Sequence, residues 1–176
     1  MSFFDFGTET NTGSFESSTE IQPIPKNTVV KAIAEQAKWS QYNNDPELIE
    51  ITWVVQGGDY NNRRIFQKCR TQDSDPVKAK KAMQMLGAIN HNAKGNLDKI
   101  SHKPTDSELA AAICFKPMML KVGVWSIDKD EFGNPIPADQ RKSGNWVAAV
   151  SPVTSQTVQM ANATQQSAID DSDLPF

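Results

Sequence analysis

The chain has 176 residues, 38% of them hydrophobic and 22% charged, which is enough for one folded domain with polar extensions. It contains no run of 18 apolar residues and begins without the basic and apolar regions of a secretory signal, so we expect neither a membrane span nor export. The net charge is -3, yet all 18 basic residues fall within residues 26–146, between two purely acidic ends. A basic middle of this kind indicates a body that binds a polyanion.

The composition divides the chain into three parts. Residues 7–22 are rich in Ser, Thr, Gly, Asn and Glu, and we predict a flexible acidic N-terminal arm over residues 1–25. Residues 26–151 carry the periodic apolar patterns of a folded domain. Residues 152–176 begin with a polar stretch without periodicity, typical of a flexible tether, and end in an acidic segment. We therefore predict one domain flanked by disordered termini.

Within this domain the patterns indicate three strands, a helical region and two further strands. The strands are expected at residues 28–39, 48–56, 62–71, 116–127 and 146–150. Asp75 and Pro76 open a helix as its N-cap and first residue, and residues 104–108 form a capping box before a short helix at 109–113. This order predicts a mainly β fold, an OB-fold-like five-stranded barrel with a helical insertion between strands 3 and 4. The alternative is a generic α+β sandwich.

The third predicted strand carries the most informative pattern. Alternation places four side chains together on one face, namely Arg64, Phe66, Lys68 and Arg70. The residues between them are more apolar and are expected to point inward. The outward face then combines cations for phosphates with an aromatic ring for bases, as binding to a single strand requires. The alternative is that Phe66 belongs to the core and that the cations are ordinary solvated charges.

Other residues could extend this surface. Lys121 and Trp125 share one face of the fourth predicted strand, and Tyr60 and Arg63 lie at the tip of the hairpin between strands 2 and 3. Trp53 alternates with apolar residues and is predicted to be core. Three more aromatic residues lie at strand ends or in loops, where a binding role and a packing role are equally open: Trp39, Tyr42 and Trp146.

Signatures of enzymes and metal sites are missing from the sequence. His91 and His102 have no third ligand at a suitable spacing, and the EF-hand-like segment from Asp128 places Phe132 where a calcium ligand is needed. Cys69 and Cys114 occupy no metal or redox spacing and are expected to be reduced, as in a cytoplasmic protein. Three lysines in the first turn of the predicted helix are interpreted as a solvated basic face, Lys78, Lys80 and Lys81. We expect no catalytic residue, no metal and no cofactor.

The last seven residues closely resemble the acidic, Pro-Phe-ending tail of bacterial single-stranded DNA-binding proteins. They are Asp170, Asp171, Ser172, Asp173, Leu174, Pro175 and Phe176. In that family the tail follows an OB domain on a polar tether and recruits replication and repair enzymes. The body also resembles small tailed-phage proteins carried beside replication and recombination genes, through residues 59–66, the Asp75-Pro76 helix start and residues 116–124.

The body departs from the ordinary bacterial protein in its longer helical insertion, and its aromatic residues do not align with that protein. The DNA-contacting residues are therefore not carried over from the family, and their choice rests on the strand faces.

Together these features predict a phage-type single-stranded DNA-binding protein that coats exposed strands in the host cytoplasm and catalyses nothing. Residues expected to neutralise phosphates are Arg63, Arg64, Lys68, Arg70 and Lys121. Residues expected to stack on bases are Tyr60, Phe66 and Trp125. The tail resemblance implies replication and recombination proteins as partners, and the oligomeric state stays open, a homo-oligomer included. The alternatives are a protein-interaction adaptor that binds no nucleic acid and, more weakly, an accessory nuclease domain.

Overall fold

Five strands follow the alternating apolar patterns in the computed structural model, which describes residues 21–154. They are β1 (Val29–Ser40), β2 (Leu48–Val55), β3 (Arg64–Cys69), β4 (Met118–Ile127) and β5 (Lys142–Ser151). Between β3 and β4 lie helices α1 (Pro76–Asn92) and α2 (Asp106–Ile113). Short 3-10 helices occupy Leu97–Lys99 and Ala138–Gln140. The predicted mainly β fold with a helical insertion between strands 3 and 4 is confirmed.

The strands pair in the order β3-β2-β1-β4-β5, and every neighbouring pair is antiparallel. β1 is long enough to pair with two partners, using residues 32–40 against β2 and residues 29–32 against β4. An irregularity between Ala34 and Gln36 shifts the register within β1, as in a β-bulge that bends a strand. The edge strands β3 and β5 approach each other, so the sheet curls into a partly open barrel with OB-fold strand order.

The barrel interior is filled by the inward faces of the strands. Trp53 is completely buried, as its alternation with apolar residues predicts, and its indole N–H donates a 2.8 Å hydrogen bond to Gln67 Oε1. Ile24 is also fully buried, and the Asn145 side chain hydrogen-bonds both its backbone N–H and its carbonyl at 2.8 Å. The core therefore includes a residue from the end of the segment assigned to the N-terminal arm. The remainder of that arm up to residue 20, and residues 155–176, lie outside the described residues.

Both helices begin at the predicted caps. The Asp75 side chain accepts a 2.9 Å hydrogen bond from the Val77 N–H, with Pro76 as the first helical residue of α1. Thr105 and Glu108 form the reciprocal capping box of α2. α2 packs against β1 and buries Leu109 in the core. Across residues 21–154, no helix is long and apolar enough to cross a membrane.

Most strand ends lie within two residues of the expected positions; β3 is shorter than predicted, so Arg70 follows it directly. Two element starts differ by three residues or more. α2 begins at Asp106, immediately after its cap, and not at residue 109. β5 begins at Lys142, four residues before the predicted start, because residues 142–145 pair with residues 124–127 of β4. The early start of β5 matters for the site, since it places Gly144 and Trp146 on the same strand.

Candidate nucleic-acid interface

β3 presents its charged and aromatic side chains to solvent. Arg64, Phe66 and Lys68 are exposed, while Ile65 and the other alternate residues are buried. Phe66 is 66% exposed, which is unusual for a phenyl ring in a strand. Phe66 is therefore a surface residue and not part of the core.

A groove with a volume of about 1090 Å³ lies between β3, β5 and α1, beside the two edge strands of the barrel. Among the described residues that line it, six are cations, three are aromatic and none is a carboxylate. The cations are Arg63, Arg64, Lys68, Arg70, Lys78 and Lys81, and the aromatic residues are Phe66, Trp125 and Trp146. This lining attracts a polyanion and offers ring faces to it.

The two tryptophans lie on the same face of the β4–β5 hairpin, each against a glycine. The register pairs Trp125 with Gly144 and Trp146 with Gly123. A methyl group at Gly144 would stand 2.7 Å from Trp125 Cζ2, and one at Gly123 would stand 2.3 Å from Trp146 Cε2. Each indole therefore packs directly on the backbone of the neighbouring strand. Trp125 is still 43% exposed and Trp146 48% exposed, so both remain available to a ligand.

The arginines at the start of β3 already have polar partners. Arg64 Nε lies 3.2 Å from Glu35 Oε2 of β1, and both side chains are about half exposed. Arg63 donates a 2.6 Å hydrogen bond from its guanidinium to the Gln22 carbonyl. Exposed ion pairs of this kind contribute at most about 1 kcal/mol, so a phosphate can displace Glu35 from Arg64.

At the other end of β3, Lys68 lies over an aromatic ring from the β1–β2 loop. Its ammonium is 4.3 Å from the centre of the Tyr42 ring. The Tyr42 hydroxyl donates a hydrogen bond to Glu50, and this carboxylate raises the pKa of the phenol above its usual value. Tyr42 therefore extends the charged and aromatic surface of β3 toward the β1–β2 loop.

Six of the eight sequence-predicted DNA-binding residues line the groove, namely Arg63, Arg64, Phe66, Lys68, Arg70 and Trp125. Tyr60 and Lys121 do not. Tyr60 is half-buried and packs against the core. Lys121 is exposed four residues before Trp125, in the part of β4 that pairs with Val29 of β1. The predicted tail residues 170–176 lie outside the described part of the chain.

Among the charged and aromatic groove residues, three were left out of the sequence-based site: Trp146, and Lys78 and Lys81, which were interpreted as solvated charges. Lys78 and Lys81 are exposed, but they also line the groove because α1 packs against β3 and β5. Their spacing of three residues places them on one helix face, and the same face contributes Met85 to the groove. For Trp146, the signal in the sequence was the pair of glycines Gly123 and Gly144, which lie in β4 and β5. A glycine within a strand often marks a close approach by another group.

The EF-hand-like segment forms a tight loop. Asp130 Oδ1 accepts hydrogen bonds from the Phe132 N–H at 2.9 Å and the Asn134 N–H at 2.8 Å. The hydrogen bonds from Asn134, the backbone one first, lower the pKa of the Asp130 carboxyl. Within the described residues, no group of three or more His, Cys, Asp or Glu side chains is arranged to hold a metal ion.

No family model and no curated protein matches this chain. Among solved structures, the chain is similar to one described as "Yeast RPA bound to ssDNA", with a TM-score of 0.37 and 10% sequence identity. The match covers 89% of this chain and 92% of that chain. The OB-like assignment rests on the strand order and pairing of this chain and not on that likeness.

Proposed function

We propose that this chain binds single-stranded DNA in the groove between β3 and β5, without sequence preference and without catalysis. The observation that carries the proposal is the lining of the groove, in which six cations and three aromatic residues occur without a carboxylate among the described lining residues. Cations supply affinity for phosphates whatever the sequence. Aromatic rings stack on any base, because every base has a π-face.

The exposed face of β3 provides both kinds of contact within one strand. Arg64 and Lys68 flank Phe66 on that face, so a base on the ring has a cation for a phosphate on either side. Stacking contributes about 1–3 kcal/mol per base. A duplex keeps its bases within its own stack and offers none of them to Phe66. The single-stranded form is therefore the favoured ligand.

We also propose that the acidic segment at residues 170–176 recruits replication and recombination enzymes in a phage-infected cell. The support is the sequence, in which Leu174 and Phe176 follow three aspartates. An apolar ring beside carboxylates suits a partner pocket that is rimmed by Lys or Arg. The same segment carries the resemblance to the tail of bacterial single-stranded DNA-binding proteins.

A fluorescence titration with oligo-dT and with a mixed-sequence oligonucleotide tests the binding proposal. Trp125 and Trp146 line the groove and supply the signal. We expect both oligonucleotides to quench the fluorescence equally, with an affinity that falls as salt rises. A protein-interaction adaptor, the rival function, would show no quenching.

The matched variants are Lys68→Ala inside the groove and Lys99→Ala outside it. Both lysines are exposed, and only Lys68 lines the groove. Lys68→Ala is expected to reduce the slope of log K against log salt by about 0.7, the value for one phosphate contact to a single strand. Lys99→Ala is expected to leave the slope unchanged. Equal slopes for the two variants would remove β3 from the binding surface.

A further inference from the structure

We infer that the β4–β5 hairpin and helix α1 form a second subsite of the groove, which holds nucleotides beyond those bound on β3. The subsite consists of Trp125, Trp146, Lys78 and Lys81. Its ligand is a further stretch of the same single strand, with bases on the indoles and phosphates at the lysines. This inference rests on the proposed function and deepens it by dividing the groove into a subsite on β3 and a second subsite.

The indoles are held in place before any ligand arrives. Gly123 and Gly144 let the rings lie against the opposite strand, at distances that a side chain on either glycine would forbid. A glycine in the middle of a strand weakens that strand, and here each of two glycines is paired with a tryptophan. Rings that are already fixed lose little conformational freedom when they bind, which favours stacking. The hairpin therefore presents a preorganised pair of stacking surfaces.

The lysines of α1 lie where an anion would stabilise them. Lys78 lies in the first turn of α1, which contains no acidic residue, so the helix dipole opposes its charge. Lys81 lies three residues further along the same helix face. Within residues 21–154 neither lysine forms an ion pair, in contrast to Arg64 with Glu35. A backbone phosphate at each lysine would neutralise its charge.

One strand can reach both subsites, because β3 and the hairpin border the same groove. An oligonucleotide that fills only one subsite is expected to bind more weakly than one that spans both. Affinity and salt slope should therefore rise with oligo-dT length until the groove is full, within the range of about 4–16 nucleotides that OB folds accommodate.

The lysines are tested with three variants from one helical turn. Lys80 is exposed like Lys78 and Lys81 but does not line the groove. With an oligo-dT long enough to fill the groove, Lys78→Ala and Lys81→Ala should each reduce the slope of log K against log salt by about 0.7. Lys80→Ala should leave the slope unchanged. The same slope in all three variants would exclude α1 from the binding surface.

The indoles are tested by Trp146→Ala and by the conservative Trp146→Phe, which keeps an aromatic ring. Trp146→Ala is expected to weaken binding of long oligo-dT by about 5- to 150-fold, the equivalent of about 1–3 kcal/mol, and to affect short oligo-dT less. Trp146→Phe should retain more of the affinity. Equal binding by wild type and both variants would overturn the subsite.

These measurements separate the subsite from the proposed function. If wild type binds oligo-dT and Lys68→Ala weakens it, while the Trp146, Lys78 and Lys81 variants bind as wild type, only the subsite is wrong. If wild type shows no salt-dependent binding of oligo-dT, the proposed function fails and the subsite fails with it.

Discussion

Phe66 shows how a single residue can be assigned to a surface from strand alternation. Its neighbours two positions away are both basic, and the buried residues of β3 are the ones between them. An exposed phenyl ring contributes little to folding, because it removes little apolar area from water. Its energetic effect is therefore expected in binding and not in stability.

Replacing Phe66 by Ala should lower the affinity for oligo-dT by about 1–3 kcal/mol, because one stacking contact is lost. The melting temperature should stay nearly unchanged. Ile65→Ala, at the buried neighbouring position, is the control and should cost about 2–5 kcal/mol of folding stability. Thermal melting and oligo-dT titration of both variants measure the effects on stability and affinity. A stability loss of about 3–5 kcal/mol in Phe66→Ala would place its ring in the core.

Cys69 supports a prediction about reactivity. The thiol is buried in the barrel, and this burial raises its pKa to about 12 from an ordinary value of 9.0. At pH 8 the folded protein should therefore react with iodoacetamide at Cys69 only through unfolding, since the thiolate is the reactive species. Labelling with and without urea, read by mass spectrometry, measures the difference. Rapid labelling of Cys69 in native buffer would contradict its burial.

The same shift sets a direction for stability at high pH. The unfolded thiol ionises near pH 9 and the folded thiol near pH 12. The contribution of Cys69 is therefore fully present below pH 9 and is lost as pH rises toward 12. Cys69→Ser removes this shifted thiol, so wild type should lose more stability than this variant between pH 9 and 10.5, as followed by urea denaturation.

At the scale of elements, local signals identified the helix caps and the order of the elements, although the start of α2 was placed three residues too late. Asp75 and Thr105 cap their helices as predicted, and the order of strands and helices was correct. The start of β5 was missed because glycines and prolines in residues 130–144 favoured a loop, whereas pairing with β4 decided the strand. The role of Trp146 depends on the same pairing. The role of Lys78 depends on how α1 packs against β3 and β5. No local sequence pattern predicts this packing.

The capping box of α2 gives a prediction about stability alone. Thr105→Ala removes the side chain that accepts a hydrogen bond from the Glu108 N–H, so it should lower the free energy of unfolding by about 1 kcal/mol. Ser107→Ala, in the same turn, is exposed and should change little. Urea denaturation measures both variants. Because α2 contributes no residue to the groove, both variants should bind oligo-dT with the same affinity. A loss of affinity in Thr105→Ala alone would mean that α2 shapes the groove.

At the scale of the whole molecule, the charges divide the chain into a basic domain and an acidic C-terminal segment. The described residues include all the basic side chains, and residues 170–176 carry three aspartates. If the acidic segment reaches the groove, it would compete with phosphate at low salt. Under the proposed function, the barrel binds DNA and the acidic segment recruits partners.

Deleting residues 170–176 should separate these activities. The melting temperature should not change, and the affinity for oligo-dT at low salt should stay the same or rise modestly, since a competing acidic segment is removed. Recruitment of replication enzymes, measured by pull-down from infected cells, should be abolished. Phe176→Ala should remove most recruitment and barely alter DNA binding, because the ring is the apolar anchor. A truncated protein that unfolds or no longer binds DNA would show that the segment belongs to the domain.

The position of the strand in the groove is tested most directly by photo-crosslinking. An oligo-dT carrying 5-iodouracil is bound at low salt and irradiated, and the attached peptides are identified by mass spectrometry. We expect crosslinks at the exposed aromatic residues of the groove, Phe66, Trp125 and Trp146. Crosslinks confined to exposed aromatic residues outside it, such as Phe115 and Phe132, would contradict binding between β3 and β5.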